Sequence, residues 1–206
     1  DDMQEAIISI MNQFGYVGVF LLIAIENIFP PIPSEVILLF GGFMTTYSSM
    51  NLFGVTLVST LGSLLGAIVL YYIGKILNKE RLKKIVRGKA GKILRLKEKD
   101  IDMADQWFDT KGNKTVFFCR FIPLVRSLIS IPAGMSEMDM KKFILYTVLG
   151  STVWNFVLTF VGSKVGQNWK AIARGLDQYS HVIVAILLFV FFIAIILFYK
   201  KRKKYD

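Results

Sequence analysis

The stretch Glu26-Asn-Ile-Phe-Pro-Pro-Ile-Pro-Ser-Glu35 interrupts an apolar region with three prolines and a carboxylate at each end. A second apolar region is interrupted by Arg120-Phe-Ile-Pro-Leu-Val-Arg126, and the chain continues to Ile131-Pro-Ala-Gly134. A charge inside a hydrocarbon core is costly and is rarely found there without a use. Prolines also free backbone groups that lipid cannot satisfy, so such segments lie inside protein or line a wet cavity. Two matched interruptions indicate the binding site of a transporter.

The apolar content of the chain predicts a membrane protein. Of its 206 residues, 54% are hydrophobic, which is more than in most soluble domains. Three uncharged runs, at 52–74, 143–163 and 182–199, are each near or above the roughly 18 residues that can cross a bilayer. They predict three spanning helices in one membrane domain that covers 1–206.

The two interrupted regions predict hairpins rather than further spans. Neither arm of the first region is long enough to cross the bilayer once Glu26 and Glu35 are placed, so the chain should enter and leave on one side. We predict an all-α integral membrane fold with two oppositely oriented re-entrant helical hairpins, three spanning helices and an inverted repeat. The predicted segments are a first hairpin at 14–47, spans at 52–74, 143–163 and 182–199, a cytoplasmic amphipathic region at 80–112, a second hairpin at 115–137, and a basic tail at 200–206.

Two short helices are expected inside the 80–112 region. Apolar residues recur at near-helical spacing among the basic residues of 81–97, which is typical of a helix that lies on a membrane surface. A second helix is expected at 100–109, with an end near Gly112.

An internal repeat supports this division of the chain. Leu61-Gly62-Ser63 recurs as Leu149-Gly150-Ser151, and Tyr72-Ile73-Gly74 recurs as Phe160-Val161-Gly162, with the same offset of 88 residues. A proline-broken, charged segment precedes the span in both copies. The Gly62 and Gly66 pair also predicts a close approach of two helices.

The distribution of basic residues predicts the orientation. Eleven Lys or Arg residues lie in 75–99, and Lys200-Lys-Arg-Lys-Lys204 follows the last apolar run. Basic flanks of membrane spans mark the cytoplasmic side. The 52–74 span then runs inward and the 143–163 span runs outward, so the two repeats are inverted and the hairpin tips meet near the middle of the membrane.

Composition also argues against several other classes of protein. The net charge of +10 would suit nucleic acid, but basic residues beside spans are better explained by anionic lipid heads, so no nucleic-acid partner is expected. The single cysteine, Cys119, excludes an internal disulfide and a cysteine metal cluster. The single histidine, His181, argues against a histidine metal site, and no metal or cofactor is expected.

The arginines and glutamates of the interrupted segments are the candidate site. Arg120 and Arg126 are expected to bind an anionic headgroup, because a guanidinium binds phosphate oxygens in pairs and stays charged when desolvated. The alternative is structural, with each arginine holding the hairpins together through Glu26 or Glu35. The same glutamates are candidates for proton coupling, although Glu35 also suits the start of a helix.

Other residues are expected to shape the backbone or the packing. No phosphate-binding glycine loop, HExxH motif or Ser/His/Asp set is present, so no catalytic residue and no enzyme activity is predicted. Asn155 is expected to form a hydrogen bond with a neighbouring helix. The hairpin-shaping candidates are Pro30, Pro31, Pro33, Pro123, Pro132 and Gly134.

At these motifs the chain resembles the DedA family of bacterial membrane proteins, which is related to VTT-domain scramblases. The resemblance rests on Glu26 with 30–35, on 118–126, and on Ala133-Gly134-Met135, with Ser34 where many relatives have glycine. It implies a lipid transporter of the bacterial cytoplasmic membrane. Family members are linked to recycling of undecaprenyl phosphate driven by the proton motive force, and others to phosphatidylethanolamine transport. The family's working residues correspond to Glu26, Glu35, Arg120 and Arg126.

Five functions therefore remain to be separated. The leading prediction is a proton-coupled flippase for undecaprenyl phosphate, so that the expected partners are a membrane lipid and protons. A phospholipid flippase, a proton or small-ion antiporter and a non-transporting scaffold are the alternatives, and a lipid phosphatase ranks last. Whether identical subunits assemble is left open by the sequence.

Overall fold

A computed structural model describes residues 2–29, 32–88, 98–123 and 125–176, with isolated positions between 178 and 193. Within these residues the secondary structure is helical and no strand occurs. The helices are α1 (Asp2–Phe14), α2 (Tyr16–Ile28), α3 (Ser34–Met44), α4 (Leu52–Ile76), α5 (Lys79–Arg87), α6 (Glu98–Cys119), α7 (Val125–Leu128), α8 (Ser130–Met135) and α9 (Met140–Val165).

Local sequence signals set several of these helix starts. The side chains of Asn51, Asn78 and Asp139 each accept a hydrogen bond from a backbone N–H in the first turn of α4, α5 and α9 respectively. Such caps satisfy donors that have no partner inside the helix. Gly15 separates α1 from α2 with a φ of 52°, a conformation that favours glycine.

Two long antiparallel helices form the centre of the fold. α4, and a segment that continues α9 over Met140–Leu176, are both long and apolar enough to cross a membrane. Their antiparallel order follows from two contacts, because Thr60 lies 3.4 Å from Thr152 while the rings of Tyr71 and Phe143 lie 4.8 Å apart. The third predicted span, at 182–199, and the basic tail at 200–206 lie largely or wholly outside the described residues.

The first helical pair consists of α2 and α3, and the start of α2 and the end of α3 lie beside the start of α4. The hydroxyl oxygen of Tyr16, at the beginning of α2, accepts a hydrogen bond from the backbone N–H of Asn51 at 2.8 Å. At the other end of α2, Asn27 packs against Gly66 in the middle of α4. α3 then returns, and the Tyr47 hydroxyl that follows it lies 3.4 Å from the side chain of Asn12. Both ends of the pair are therefore at the same end of α4.

The second helical pair consists of α6 with α7 and α8, and the start of α6 and the end of α8 lie beside the opposite end of α4. Lys79, just beyond α4, lies 2.9 Å from Asp105 near the start of α6. Met135, at the end of α8, lines a cavity together with Lys79. The turn between α6 and α7 lies deep in the protein, where Arg126 reaches Glu26 of the first pair. The two pairs thus extend from opposite ends of α4 and meet near its middle.

Small residues allow each long helix to approach the first arm of its own pair. A Cβ atom on Gly62 of α4 would lie 2.6 Å from the carbonyl oxygen of Phe20 in α2. A Cβ atom on Gly150 of α9 would lie 3.0 Å from the carbonyl oxygen of Phe117 in α6. The two glycines are 88 residues apart, so equivalent positions of the repeat make equivalent contacts.

The second helices of the two pairs, α3 and α8, are exchanged between the repeats. Gly74 of α4 packs against the carbonyl of Ile131 in α8, which belongs to the second pair. Gly162 of α9, again 88 residues later, packs against the carbonyl of Leu39 in α3, which belongs to the first pair. Each long helix therefore lies between the first arm of one pair and the second arm of the other, and this interlocking brings the two turns together.

The outer faces of the two long helices are apolar, and polar side chains are buried between the helices. Large apolar side chains are exposed along the outer faces of α4 and α9, for example Leu57, Leu61, Leu149 and Val153. Polar side chains are buried between the helices, and Asn155 donates to Thr60 and Ser63 at 3.4 Å, as predicted. Exposed apolar area of this extent is typical of a surface that lipid covers.

The region predicted to be amphipathic, 80–112, differs from the prediction. The expected helix end near Gly112 is absent, because α6 continues without a break from Glu98 to Cys119. A Cβ atom on Gly112 would lie 2.7 Å from the Phe108 ring, so this glycine provides space for an aromatic side chain. α5 ends at Arg87 and Gly88, and the remainder of the predicted 81–97 helix lies outside the described residues.

Candidate anion-binding site

A buried ion pair joins the two helical pairs. Nη2 of Arg126 lies 2.7 Å from Oε2 of Glu26, and the side chains are 4% and 5% exposed. The amide of Asn27 donates to the same carboxylate oxygen at 3.1 Å, and Ser127 lies 3.5 Å from the amide oxygen of Asn27. Because Glu26 lies near the end of α2 and Arg126 lies in α7, the contact forms where the turns of the two pairs meet.

Arg120 lies beside this ion pair and is held by neutral oxygens. Arg120 is only 2% exposed. Nη1 donates to the backbone carbonyl of Arg126 at 2.5 Å, and Nη2 donates to the hydroxyls of Ser130 at 3.1 Å and Thr147 at 2.9 Å. The guanidinium carbon also lies 5.9 Å from the centre of the Phe143 ring, within cation–π range.

The charge of Arg120 has no acidic partner among the described residues, where no carboxylate oxygen lies within ion-pair distance of its guanidinium. The Nε atoms of Arg120 and Arg126 are both buried, and neither has a hydrogen-bond acceptor in the described part of the chain. A buried charge is costly unless it is paired. A buried guanidinium that has no carboxylate in contact and an unused N–H donor is therefore suited to bind an anion.

Glu35 is buried close to this group without a direct polar contact to it. The residue lies in the first turn of α3 and is 5% exposed. Within the described residues its carboxyl group forms no hydrogen bond and no ion pair, although Glu35 and Glu26 are near enough to interact electrostatically. The structure thus brings Glu26, Arg120 and Arg126 into contact and places Glu35 as a buried, unpaired neighbour.

Comparison with known proteins identifies the family. The model of the VTT domain matches residues 32–164, which include α3, the second helical pair, α4 and most of α9. The chain belongs to the VTT-domain, or DedA, family. No solved structure matches the chain.

Relatives of this VTT-domain protein carry two different names. A protein of Lactococcus lactis subsp. lactis called alkaline phosphatase-like protein is 58% identical over 97% of this chain and 94% of its own length. Undecaprenyl phosphate transporter A of Staphylococcus aureus is 35% identical over 98% of this chain and 99% of its own length. The Bacillus subtilis protein of the same name is 33% identical over 95% of this chain and 93% of its own length. These relatives and the family indicate a bacterial membrane protein.

The described prolines of the VTT-domain protein lie in or beside the turns of the two pairs. Pro33 precedes α3 with an extended ψ of 108°, and Pro123 is buried in the turn between α6 and α7. Pro132 lies in α8, and Gly134 packs against the carbonyl of Tyr71. Pro30 and Pro31 lie outside the described residues. Among the described candidates, Pro123 is the proline nearest to the two arginines in the chain.

Sequence reasoning did not single out the neutral residues of the site. Asn27, Ser127, Ser130 and Thr147 are all buried and all form hydrogen bonds with the charged groups or with each other. Asn27 and the two serines lie within or beside the interrupted segments, so their positions in the sequence could have indicated that they belong to the site. Thr147 lies in a long apolar helix and has no such signal.

Proposed function

We propose that this chain moves undecaprenyl phosphate across the bacterial cytoplasmic membrane and that the movement is coupled to protons. The observation that carries the proposal is Arg120, a buried cation whose described partners are all neutral oxygens. A phosphate group supplies the missing negative charge and accepts hydrogen bonds from guanidinium N–H groups. The names of the Staphylococcus and Bacillus relatives support this choice of lipid.

The proposal treats the two helical pairs as re-entrant hairpins from opposite membrane faces. Their openings at opposite ends of α4 and the meeting of their turns near its middle support this arrangement. The basic residues around α5 then lie in the cytoplasm. Single cysteines at Ser48→Cys and Gly88→Cys, in a Cys119→Ser background, should react with impermeant reagents from opposite sides. Labelling of both from one side would contradict the orientation.

Proton coupling follows from competition for the arginines. An incoming phosphate competes with Glu26 for Arg126, and a carboxylate that loses its partner in a buried site is neutralised by a proton. Glu35, which is buried and unpaired, is a second acceptor for that proton. Inward movement of a phosphate opposes an inside-negative potential by about 2.3 kcal/mol per charge per 100 mV. Protons that accompany the phosphate remove that penalty.

Reconstituted vesicles provide the test. We expect the purified protein to move undecaprenyl phosphate between leaflets, and we expect Arg120→Gln or Arg126→Ala to abolish the movement. Collapse of the pH gradient should slow it. Flipping that survives both Arg126→Ala and loss of the gradient would refute the mechanism. Phosphatidylethanolamine as competitor separates the phospholipid alternative, and proton flux without added lipid would indicate an antiporter.

Hydrolysis is tested as well, because the Lactococcus relative has a phosphatase-like name. Among the described residues no group of His, Cys, Asp and Glu side chains is suited to hold a metal ion. The buried site instead holds arginines, glutamates, an amide and hydroxyls. Release of inorganic phosphate from undecaprenyl phosphate by the purified protein, lost in Arg120→Gln, would favour hydrolysis over transport.

A further inference from the structure

A cavity of about 640 Å³ lies between α5, α6 and α8. Its walls are mainly apolar and are formed by Leu82, Phe108, Ile129, Pro132 and Met135. Its volume falls within the range of pockets that hold small molecules, about 300–1,000 Å³. The cavity is therefore large enough and apolar enough to hold part of a hydrocarbon chain.

One residue of the cavity wall is next in the chain to a hydrogen-bond partner of Arg120. Ile129 lines the cavity, and the next residue, Ser130, accepts a hydrogen bond from Nη2 of Arg120 at 3.1 Å. On the facing helix, Thr115 lines the cavity about one turn before the end of α6, where Arg120 follows. The cavity wall and a partner of Arg120 are thus consecutive residues, which places the cavity near the guanidinium on the cavity side of Ser130.

The outer side of the cavity has an apolar exit and a polar edge. Trp107 lines the cavity and is half-exposed, and Met103 and Phe118 are exposed on the same face of α6. This strip continues the apolar wall toward the outside of the protein. At the polar edge, Lys79 is paired with Asp105 at 2.9 Å. A long chain would leave along the apolar strip, because passage beside the ion pair would place hydrocarbon against charge.

We propose that this cavity binds the first isoprenoid units of the transported lipid while its phosphate lies at Arg120. The proposal rests on the function proposed above and assigns the hydrocarbon part of the same ligand. A polyprenyl phosphate is the occupant that matches both parts, with an anion at the buried guanidinium and an apolar chain against Leu82, Phe108 and Ile129. The cavity then selects for the chain, and the arginines select for the headgroup.

Binding to the purified full chain in detergent separates the two parts of the ligand. The probes are farnesyl phosphate, which has a polyprenyl chain, and inorganic phosphate, which has none. Leu82→Trp fills the cavity from α5, and Thr115→Phe fills it from α6. Ile85→Trp is the matched control, because Ile85 is exposed on α5 and does not line the cavity. Elution volume and melting temperature establish that each variant is folded.

We expect both cavity-filling variants to bind farnesyl phosphate about tenfold more weakly, since each buried methylene group contributes about fourfold in affinity. Their affinity for inorganic phosphate should not change, and Ile85→Trp should bind both probes like the unmodified protein. Unchanged binding of farnesyl phosphate by the folded variants would overturn the proposal, and so would an equal loss of both probes. In contrast, phosphate binding that is insensitive to Arg120→Gln would refute the proposed function instead.

A second measurement uses the unmodified protein and does not depend on the folding of variants. A polyprenyl phosphate with a photoreactive diazirine near its phosphate should label α6 and α8 around Thr115 and Ile129. Excess unlabelled farnesyl phosphate should remove that labelling. Labels confined to the outer faces of α4 and α9 would overturn the assignment of the cavity.

Discussion

The buried ion pair at the centre and the exposed ion pairs between α5 and α6 have nearly the same nitrogen–oxygen distances. Arg126 and Glu26 lie 2.7 Å apart with exposures of 4% and 5%, and Arg87 and Glu98 lie 2.6 Å apart with exposures of 62% and 40%. Water and salt screen the exposed pair, which therefore contributes little to stability. The buried pair forms only because both desolvated charges are satisfied, so loss of either partner has a large cost.

The comparison extends from stability to function. The α5–α6 pairs match each cation with a described carboxylate, since Lys79 and Lys83 also contact Asp102. At the centre, Arg120 is a second cation without such a match among the described residues. Each of Lys79, Lys83 and Arg87 thus contacts a carboxylate, whereas the buried guanidinium of Arg120 contacts none among the described residues.

Removal of one central partner should have the largest effect on stability. Glu26→Ala leaves Arg126 buried and unpaired, so the free energy of unfolding should fall by about 3–5 kcal/mol. Chemical denaturation in detergent micelles measures this quantity. Glu98→Ala is the matched control on the exposed pair and should lose far less. Equal losses for the two variants would show that burial does not distinguish the clusters.

The close helix crossings that bury the central pair should be the next most sensitive. In Gly134→Ala the new Cβ atom would collide with the carbonyl oxygen of Tyr71, so α8 must move from α4. Overpacking of this kind costs about 1–3 kcal/mol. Gly175→Ala is the control, because nothing lies within 4 Å of that position. The same denaturation experiment applies, and a stable Gly134→Ala protein with unchanged transport would contradict the importance of this crossing.

The exposed pair should show the smallest effect, with a defined dependence on pH and salt. The hydrogen bond from Arg87 holds the pKa of Glu98 below its usual value of 4.5. A lowered carboxyl pKa contributes stability above about pH 4.5, and this contribution is lost as the pH falls through the lowered value. The difference in melting temperature between the unmodified protein and Arg87→Gln should therefore vanish in strong acid and in 1 M salt. A difference that persists in both conditions would contradict a screened surface pair.

The sequence predicted the parts that depend on local pattern. The apolar runs predicted α4 and α9, and the Gly62 and Gly66 pair predicted a close helix approach, which α2 provides. The charged residues of the interrupted segments were identified because charge within apolar sequence is unusual. The helix end expected at Gly112 was wrong, since a buried glycine that packs against an aromatic ring resembles a helix stop in sequence.

Long-range contacts were beyond reach of sequence patterns. The exchange of α3 and α8 between the repeats depends on two contacts between residues that are far apart in the chain. Gly74 packs against Ile131, and Gly162 packs against Leu39. The hydroxyl of Thr147 joins the site only because α9 passes beside Arg120. Which arginine pairs with which glutamate also required coordinates, and the pairing left Arg120 as the uncompensated cation.

Direct binding of undecaprenyl phosphate to the purified protein tests the central role of Arg120. Arg120→Gln keeps an amide donor for the hydroxyls of Ser130 and Thr147 but removes the charge, so the dissociation constant should rise about tenfold or more. Arg87→Gln removes a charge from the exposed cluster and should leave the dissociation constant unchanged. Folded Arg120→Gln protein that binds the lipid as tightly as the unmodified chain would contradict the assignment of Arg120 as the anion site.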